Sequence, residues 1–555
     1  MSAPTADRTG RAQLAARAIP RLVEAVALVP LVVMVVDVLR APKLPLLDYW
    51  DVLLRITTPS GGFEPDGLLT LQNEHPLMLP SVLYWINARI FDGDNRTLGL
   101  AVVLIAALTV LLLRAALPRS IPPIVRAGLV AAASLLVFSP HGLHNFAMAM
   151  SGAAWLMANL FSVAALLLAV RGRWWPAWAA ALLACLSYGT GFPVWVGIAV
   201  IAVVRGEPVW RRVLPIGALA GVLATWTALR PAVEAGTAGT DDFGTLVFRF
   251  FTVVGHLWTA KDAGLAAAAG VAVVAALALL LTVADARRSD LLFWWVLACH
   301  GLMCCGMIAL ARLDYGANQG LTGRYTSLAT LSCLPLLVIA AALLARREAA
   351  KAAVLAVGVG VLGFALGSPE AISVRSNIRE AQVQAIAMRA GIAEDLDYRL
   401  PDSDRLNPRL AAMGHFPFSA DFSLGCAGPE LGSRVDLSTA APLGAPPGPD
   451  APPAVVGYLD SVEPRDGALL VRGWVSGAGL GARCAILVSA DGTVTGGGLV
   501  SQPRSDVATE YRWAGQDTGF VVVGRGGPGA RLVVVLLDGR VLTTELPAAD
   551  PEGGT

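Results

Sequence analysis

The chain has 555 residues, 55% of them hydrophobic and 15% charged, with a mean hydropathy of +0.62. A soluble domain has about a quarter of its residues charged, so this composition requires lipid as part of the solvent and excludes an ordinary soluble enzyme. The 42 basic and 41 acidic residues leave a net charge of +1, which offers no bulk electrostatic ground for binding nucleic acid.

Residues 1–21 form a polar tail that does not read as a cleaved signal, because the first apolar run behind it is a full span that stays in place. A membrane-crossing helix takes about 20 mostly apolar residues. Runs of that kind at 22–39, 98–117, 121–139, 149–170, 174–187, 192–204, 213–229, 265–283, 291–311, 325–344 and 352–366 predict about eleven spans in a membrane domain over 22–367. The fifth and sixth runs are short and are joined by Tyr188-Gly189-Thr190-Gly191, as in a tight hairpin or in helices broken near the surface.

Basic residues resist translocation, so their positions orient the chain. Arg21 and the tail, Arg114 to Arg126, Arg171 and Arg173, Arg205 to Arg212, Arg287 and Arg288, and Arg346 to Lys351 all fall on one side. That side is expected to be the cytoplasm of a bacterial inner membrane. The N-terminus is then cytoplasmic, and everything beyond 367 is extracytoplasmic. The outer loops are 40–97, 230–264 and 312–324.

Residues 368–454 read as a surface helix followed by a Pro/Gly/Ala linker. From 455 to 548 the pattern turns to short branched runs separated by Asp-Gly or Gly-rich turns, which predicts an antiparallel β-sandwich. Five cysteines lie in apolar runs, where a buried hydrophobe is the expected role. Cys426 and Cys484 lie in the polar part and can form a disulfide if that part is outside the cytoplasm.

Chemistry gathers on the outer side. The first outer loop carries Asp48-Tyr49-Trp50-Asp51 and then Gln72-Asn73-Glu74-His75-Pro76. Tyr49 and Trp50 suit an interfacial anchor with solvated acids beside them. Two acidic clusters in one loop equally suit a general base with groups that orient a polyhydroxylated substrate. Gly323-Arg324-Tyr325 at the mouth of the tenth span, and Arg312 at the end of the ninth, can meet a departing phosphate; for Arg324 a headgroup-binding side chain is the competing role. His300 lies mid-span and reads as a hydrogen-bonded core imidazole, and no metal-ligand set is assigned. No Gly-x4-Gly-Lys-Ser/Thr loop occurs, which disfavours nucleotide-driven transport.

A polytopic chain whose first outer loop opens on an acidic motif resembles the GT-C superfamily of polyprenyl-phosphate-sugar-dependent glycosyltransferases. The Asn73-Glu74-His75 run is similar to a bacterial branch that reads Asn-Glu-His-Arg, with Pro76 here in place of the arginine. The resemblance implies a GT-C-like helical domain and Asp48 as catalytic base, with Asp51 as its nearest competitor. It also implies a lipid-linked sugar donor, an envelope glycan or lipid acceptor and no certain cofactor. Asn73, Glu74, His75, Tyr49, Trp50, Arg324, Tyr325 and Arg312 are then expected to bind substrate.

The C-terminal runs Val471-Arg472-Gly473-Trp474-Val475, Arg504-Ser505-Asp506-Val507 and Gly519-Phe520 resemble a β-domain of bacterial sugar-processing proteins, in which Trp474 and Trp513 can stack on sugars or fill the core. Two other functions compete with transfer: a flippase for a lipid-linked saccharide, and a glycan-binding scaffold for envelope assembly. Few charges lie inside the spans and no repeat relates the two halves, which argues against transport.

Overall fold

The computed structural model describes residues 18–46, 48–230, 243–259, 261–283, 290–311, 320–377, 380–393, 403–446, 448, 455–465, 467–477 and 481–546. Arg312 lies outside them. The chain divides into two units. One comprises the residues up to Ala41, Pro65–Tyr84 and Asn95–Val374; the other comprises Pro42–Glu64, Trp85–Asp94 and the residues from Arg375 onward.

The first unit is helical. Among the described residues nine helices are long and apolar enough to cross a bilayer: Ala18–Arg40, Asn95–Ala116, Pro123–Ala147, Ala149–Val170, Val209–Leu229, Ala263–Val283, Leu292–Ala311, Gly323–Leu344 and Ala349–Ile372. The protein is a polytopic helical membrane protein. The fifth and sixth expected spans are helices too, but short ones, because Tyr188 is extended (φ −167°, ψ 157°) and Gly189–Gly191 make a 3-10 turn between them. The stretch expected as an outer loop at 230–264 contains a further apolar helix, Phe243–Gly255, extended by a 3-10 turn, His256–Trp258. Its buried Arg249, Thr252 and His256 interrupt the apolar run that would have revealed it.

Pro123–Ala147, Ala149–Val170, Leu292–Ala311 and Gly323–Leu344 make the interior, each with two thirds or more of its apolar stretch buried, whereas Val209–Leu229 has 6% buried. Val213, Leu214, Ile216 and Leu223 point outward from that helix, where only lipid accommodates them. With no hydrophobic drive between helices in lipid, small residues let backbones approach. At Gly255 an added Cβ would lie 1.8 Å from the Ala266 carbonyl oxygen of the neighbouring helix, whereas at Gly217 it would meet nothing. Gly255→Ala is expected to cost about 1–3 kcal/mol by forcing the helices apart. Thermal unfolding in detergent, with Gly217→Ala as the comparison, checks this; equal melting temperatures would refute the close approach.

The second unit carries strands β1 (Ala441–Pro442), β2 (Val456–Arg465), β3 (Ala468–Ser476), β4 (Ala482–Val488), β5 (Val494–Gln502), β6 (Gly519–Arg525), β7 (Arg531–Leu536) and β8 (Val541–Glu545). They form one sheet in the order β1-β8-β7-β4-β5-β6-β3-β2. All neighbours are antiparallel except β1 and β8, which run parallel. Gly444, just past β1, bridges Val456 of β2, and the Gly457 N–H donates to the Gly444 carbonyl at 3.0 Å. The two edges are thereby joined and the sheet curls on itself, so one curled mixed sheet stands where two packed sheets were expected. The residues that close it, 441–444, fall in the stretch whose composition reads as linker.

Alternate residues of each strand fill the inside of the curl: Leu469, Val471 and Val475 of β3, Ala485 and Leu487 of β4, Phe520 and Val522 of β6, and Leu532 and Val534 of β7. The helix Glu380–Ala390 packs on β5 and β6 from outside. A disulfide ties Cys426 to Cys484 of β4, with Cα atoms 5.4 Å apart.

Candidate functional site

In the helical unit the Asn-Glu-His motif is a tight hairpin turn. The Gln72 N–H donates to the His75 carbonyl at 3.0 Å and the His75 N–H to the Gln72 carbonyl at 2.8 Å. The two central residues, Asn73 (φ 45°) and Glu74 (φ 67°), both lie in the left-handed region, as a type I′ turn demands. Asn tolerates that region; Glu adopts it at a cost, so something must hold it there. Two groups do: the Arg230 guanidinium pairs with the Glu74 carboxylate, and the Trp226 indole N–H donates to the Glu74 carbonyl at 2.5 Å. Arg230 also lies over the Trp226 ring, 5.4 Å from its centroid.

From His75 a row of rings leads to the second predicted motif. His75 lies tilted against Tyr188 at 4.2 Å, Tyr188 tilted against Trp155 at 4.4 Å, and Trp155 meets Tyr325 edge-on at 5.5 Å. Arg324 lies 5.6 Å from the centroid of its neighbour Tyr325. The Gly189–Gly191 turn belongs to this arrangement, since a Cβ on Gly189 would lie 3.0 Å from His75 Nδ1. Glu74, His75, Arg324 and Tyr325 are thus joined by one continuous set of contacts.

Around Arg324 the polar groups are buried and donor-rich. The Asn145 side-chain amide donates to the Arg324 carbonyl at 3.1 Å. A Cβ on Gly323 would lie 2.7 Å from the His141 carbonyl oxygen and 3.4 Å from His144 Cβ, so glycine there lets the two segments touch. Among the described residues His144 Nδ1, Arg324 Nε and Tyr325 Oη are buried without a hydrogen-bond partner. Buried polar atoms in that state are what a bound polar ligand or water satisfies.

Beside the motif turn an apolar cavity of about 660 Å³ opens between Trp174–Ser187, Gly189–Val204 and Val209–Leu229. Trp178, Leu182, Trp195, Val222, Trp226 and Pro76 line it. Trp226 therefore both walls this cavity and holds the motif turn.

The acidic motif lies in the other unit. Asp48 stands immediately before the helix Tyr49–Ile56, with Asp51 in its first turn, where the helix dipole favours carboxylates. Arg55, four residues beyond Asp51, shares their face; burial pushes its guanidinium below its ordinary pKa, and the charges of Asp51 and Asp48 oppose that shift. Tyr49 and Trp50 are both 0% exposed, so these rings anchor the helix within the protein. Burial pushes the Tyr49 phenol above its ordinary value.

His415 explains the burial of Tyr49. Its Nδ1 lies 2.6 Å from the Phe416 carbonyl, which can only accept, so the proton is on Nδ1 and Nε2 accepts from the Tyr49 hydroxyl at 3.1 Å. At the other end of the helix, Arg409 donates to the Leu54 carbonyl at 2.6 Å and to that of Thr57, satisfying carbonyls the helix leaves open. Neither His415 nor Arg409 carries any local sequence signal of this role.

Burial pushes the His415 imidazole from 6.5 down to about 4, against the opposing pull of the Phe416 carbonyl. A folded pKa below the unfolded one means that the unfolded chain binds the proton more tightly. The stabilisation is complete above pH 6.5 and is lost as pH falls toward about 4, an effect of about 3 kcal/mol. Melting curves at about pH 7 and about pH 4.5 test this, and His415→Gln, which can still accept from Tyr49, is expected to flatten the dependence. An unchanged slope in the variant would assign the acid sensitivity elsewhere.

Trp474 of β3 is 4% exposed and Trp513 is half-buried; both belong to the outer side of the curled sheet. His300 is buried with Nε2 3.7 Å from Cys304 Sγ. Among the described residues no group of three or more His, Cys, Asp or Glu is placed to hold a metal ion. No family model matches the chain, and neither a curated protein nor a solved structure matches it.

Proposed function

We propose that the protein is a GT-C-type membrane glycosyltransferase that moves a sugar from a polyprenyl phosphate to an envelope glycan or lipid acceptor on the extracytoplasmic face. The acceptor oxygen forms a bond to the sugar's anomeric carbon while the bond from that carbon to the phosphate oxygen breaks. Asp48 takes the acceptor's proton, and the polyprenyl phosphate leaves with the electron pair.

The observation that carries this is the presence, within the helical unit, of both an apolar cavity and a buried polar cluster around Arg324. A polyprenyl chain needs the first, walled by Trp178, Leu182 and Trp195. Its phosphate needs the second, Arg324 with His144 and Tyr325, whose buried Nε, Nδ1 and Oη have no hydrogen-bond partner among the described residues. The rings from His75 to Tyr325 connect the motif turn beside the cavity to the polar cluster. The Cys426–Cys484 disulfide supports an extracytoplasmic C-terminal unit, because such bonds persist in oxidising compartments.

The test is sugar transfer by the purified protein in nanodiscs, given radiolabelled polyprenyl-phosphate sugars and envelope extract. Incorporation that depends on the protein supports the proposal. If the folded protein incorporates none of the donors but moves a lipid-linked saccharide across the bilayer, it is a flippase instead.

A further inference from the structure

The outer face of β2 and β3 carries a cluster of rings that transfer chemistry does not use. Tyr458 of β2 pairs directly with Trp474 of β3, which places both side chains on the same face. The short helix Ser505–Glu510 and the turn after it cross that face. They lay Tyr511 at 5.4 Å and Trp513 at 6.4 Å from the Trp474 ring, with Tyr511 and Trp513 5.4 Å from each other. Trp474 is buried beneath, whereas Tyr511 and Trp513 are half-exposed and Tyr458 is 57% exposed.

A β-bulge between Leu459 and Ser461 makes Asp460 the extra residue of the strand. Its carboxylate pairs with Arg504, which also holds Asp506 through Nη2 at 2.7 Å and through Nε at 3.0 Å. The aromatic platform is thus flanked by a guanidinium already neutralised by two carboxylates. Such a rim offers hydrogen-bond donors and acceptors with no excess positive charge, which fits a neutral polyhydroxylated ligand better than an anionic lipid surface. The exposed rings are amphipathic, with an apolar face and a polar edge, as stacking on sugar faces requires.

We propose that Tyr458, Tyr511 and Trp513, supported from below by Trp474 and flanked by Asp460 and Arg504, form a binding site for a neutral oligosaccharide. Trp474 acts as the buried floor of this site and does not touch the sugar. The proposal does not rest on transfer, because a scaffold or a flippase would carry the same site.

Binding is measured on the full chain in nanodiscs in the Asp48→Asn background, so that turnover does not consume ligand. The probes are an immobilised panel of short neutral hexose and pentose oligosaccharides, and vesicles with anionic lipid. At least one oligosaccharide is expected to bind, with Tyr458→Ala and Trp513→Ala each weakening it about tenfold and Tyr458→Ala leaving the melting temperature unchanged. Tyr458 is the decisive position, since its exposure makes misfolding of the variant a poor explanation. Absence of oligosaccharide binding by the folded protein, undiminished binding in both variants, or binding to the anionic vesicles alone would overturn the proposal. Loss of transfer in the assay of the preceding section, with oligosaccharide binding intact, would leave this site standing.

Discussion

Asp48→Asn is expected to lower sugar transfer by about 10²–10⁴-fold, the range a positioned general base contributes. The substitution keeps the shape and removes only the basic oxygen. Asp48 already has helical backbone angles (φ −59°, ψ −7°) and its side chain does not cap the helix, so Tyr49–Ile56 should keep its start. The anchoring of that helix by His415 and Arg409 does not involve the Asp48 side chain, and Tyr49 and Trp50 remain buried. The variant should therefore fold, and transfer measured beside its melting temperature separates lost chemistry from lost structure. Asp51→Asn, one helical turn away, is the paired control: a larger loss there than at Asp48 would move the base to Asp51. Full transfer by both folded variants would remove this loop from the chemistry.

Arg324→Leu is expected to cost about 10²–10³-fold in kcat, the scale of one preorganised group removed from developing charge. The neighbouring polar atoms His144 Nδ1 and Tyr325 Oη stay in place, but neither carries the fixed charge a leaving phosphate calls for. Arg324→Lys should recover only part of the rate, because an ammonium is a point charge without the planar fork. The split between kcat and KM discriminates between roles. An arginine that merely holds a lipid headgroup would raise KM and leave kcat alone, and that outcome would return Arg324 to an anchoring role.

Much of the helical unit was legible because lipid imposes a length and a composition that soluble folds do not. The runs at 98–117 or 325–344 announce themselves with no knowledge of their neighbours. Phe243–Gly255 escaped because it buries Arg249 and Thr252 in protein, and hydropathy does not distinguish a polar residue with protein partners from one in water. In the C-terminal unit the strands were legible from alternation, but their closure was not. Alternation says which side chains share a face, while the partner of each edge is chosen by 441–444, a segment with no strand pattern of its own.

The site residues divide in the same way. Asp48, Glu74, His75 and Arg324 are conspicuous because charged and aromatic groups beside an apolar span are costly. His415 is not, since it meets Tyr49 across 366 residues of chain and looks from its neighbours like any core histidine. Arg230 and Trp226 were equally silent: the first reads as the end of a span and the second as part of its apolar face.

Val209–Leu229 leaves most of its length exposed and touches Val194–Val204 on one side, with Trp210 against Trp178 and Arg211 over Trp174 near its start, while its last turn and the residue beyond it, through Trp226 and Arg230, grip the Glu74 turn. A rod fixed near both ends and bare between them passes a sideways load to its fixings. A hydrocarbon chain lying in the cavity beside Trp226 would bear on this helix, and part of that load would reach Glu74, the residue already in the left-handed region. Whatever fills the greasy slot is thereby felt at the Asn73-Glu74 turn, through Trp226, which walls the one and holds the other.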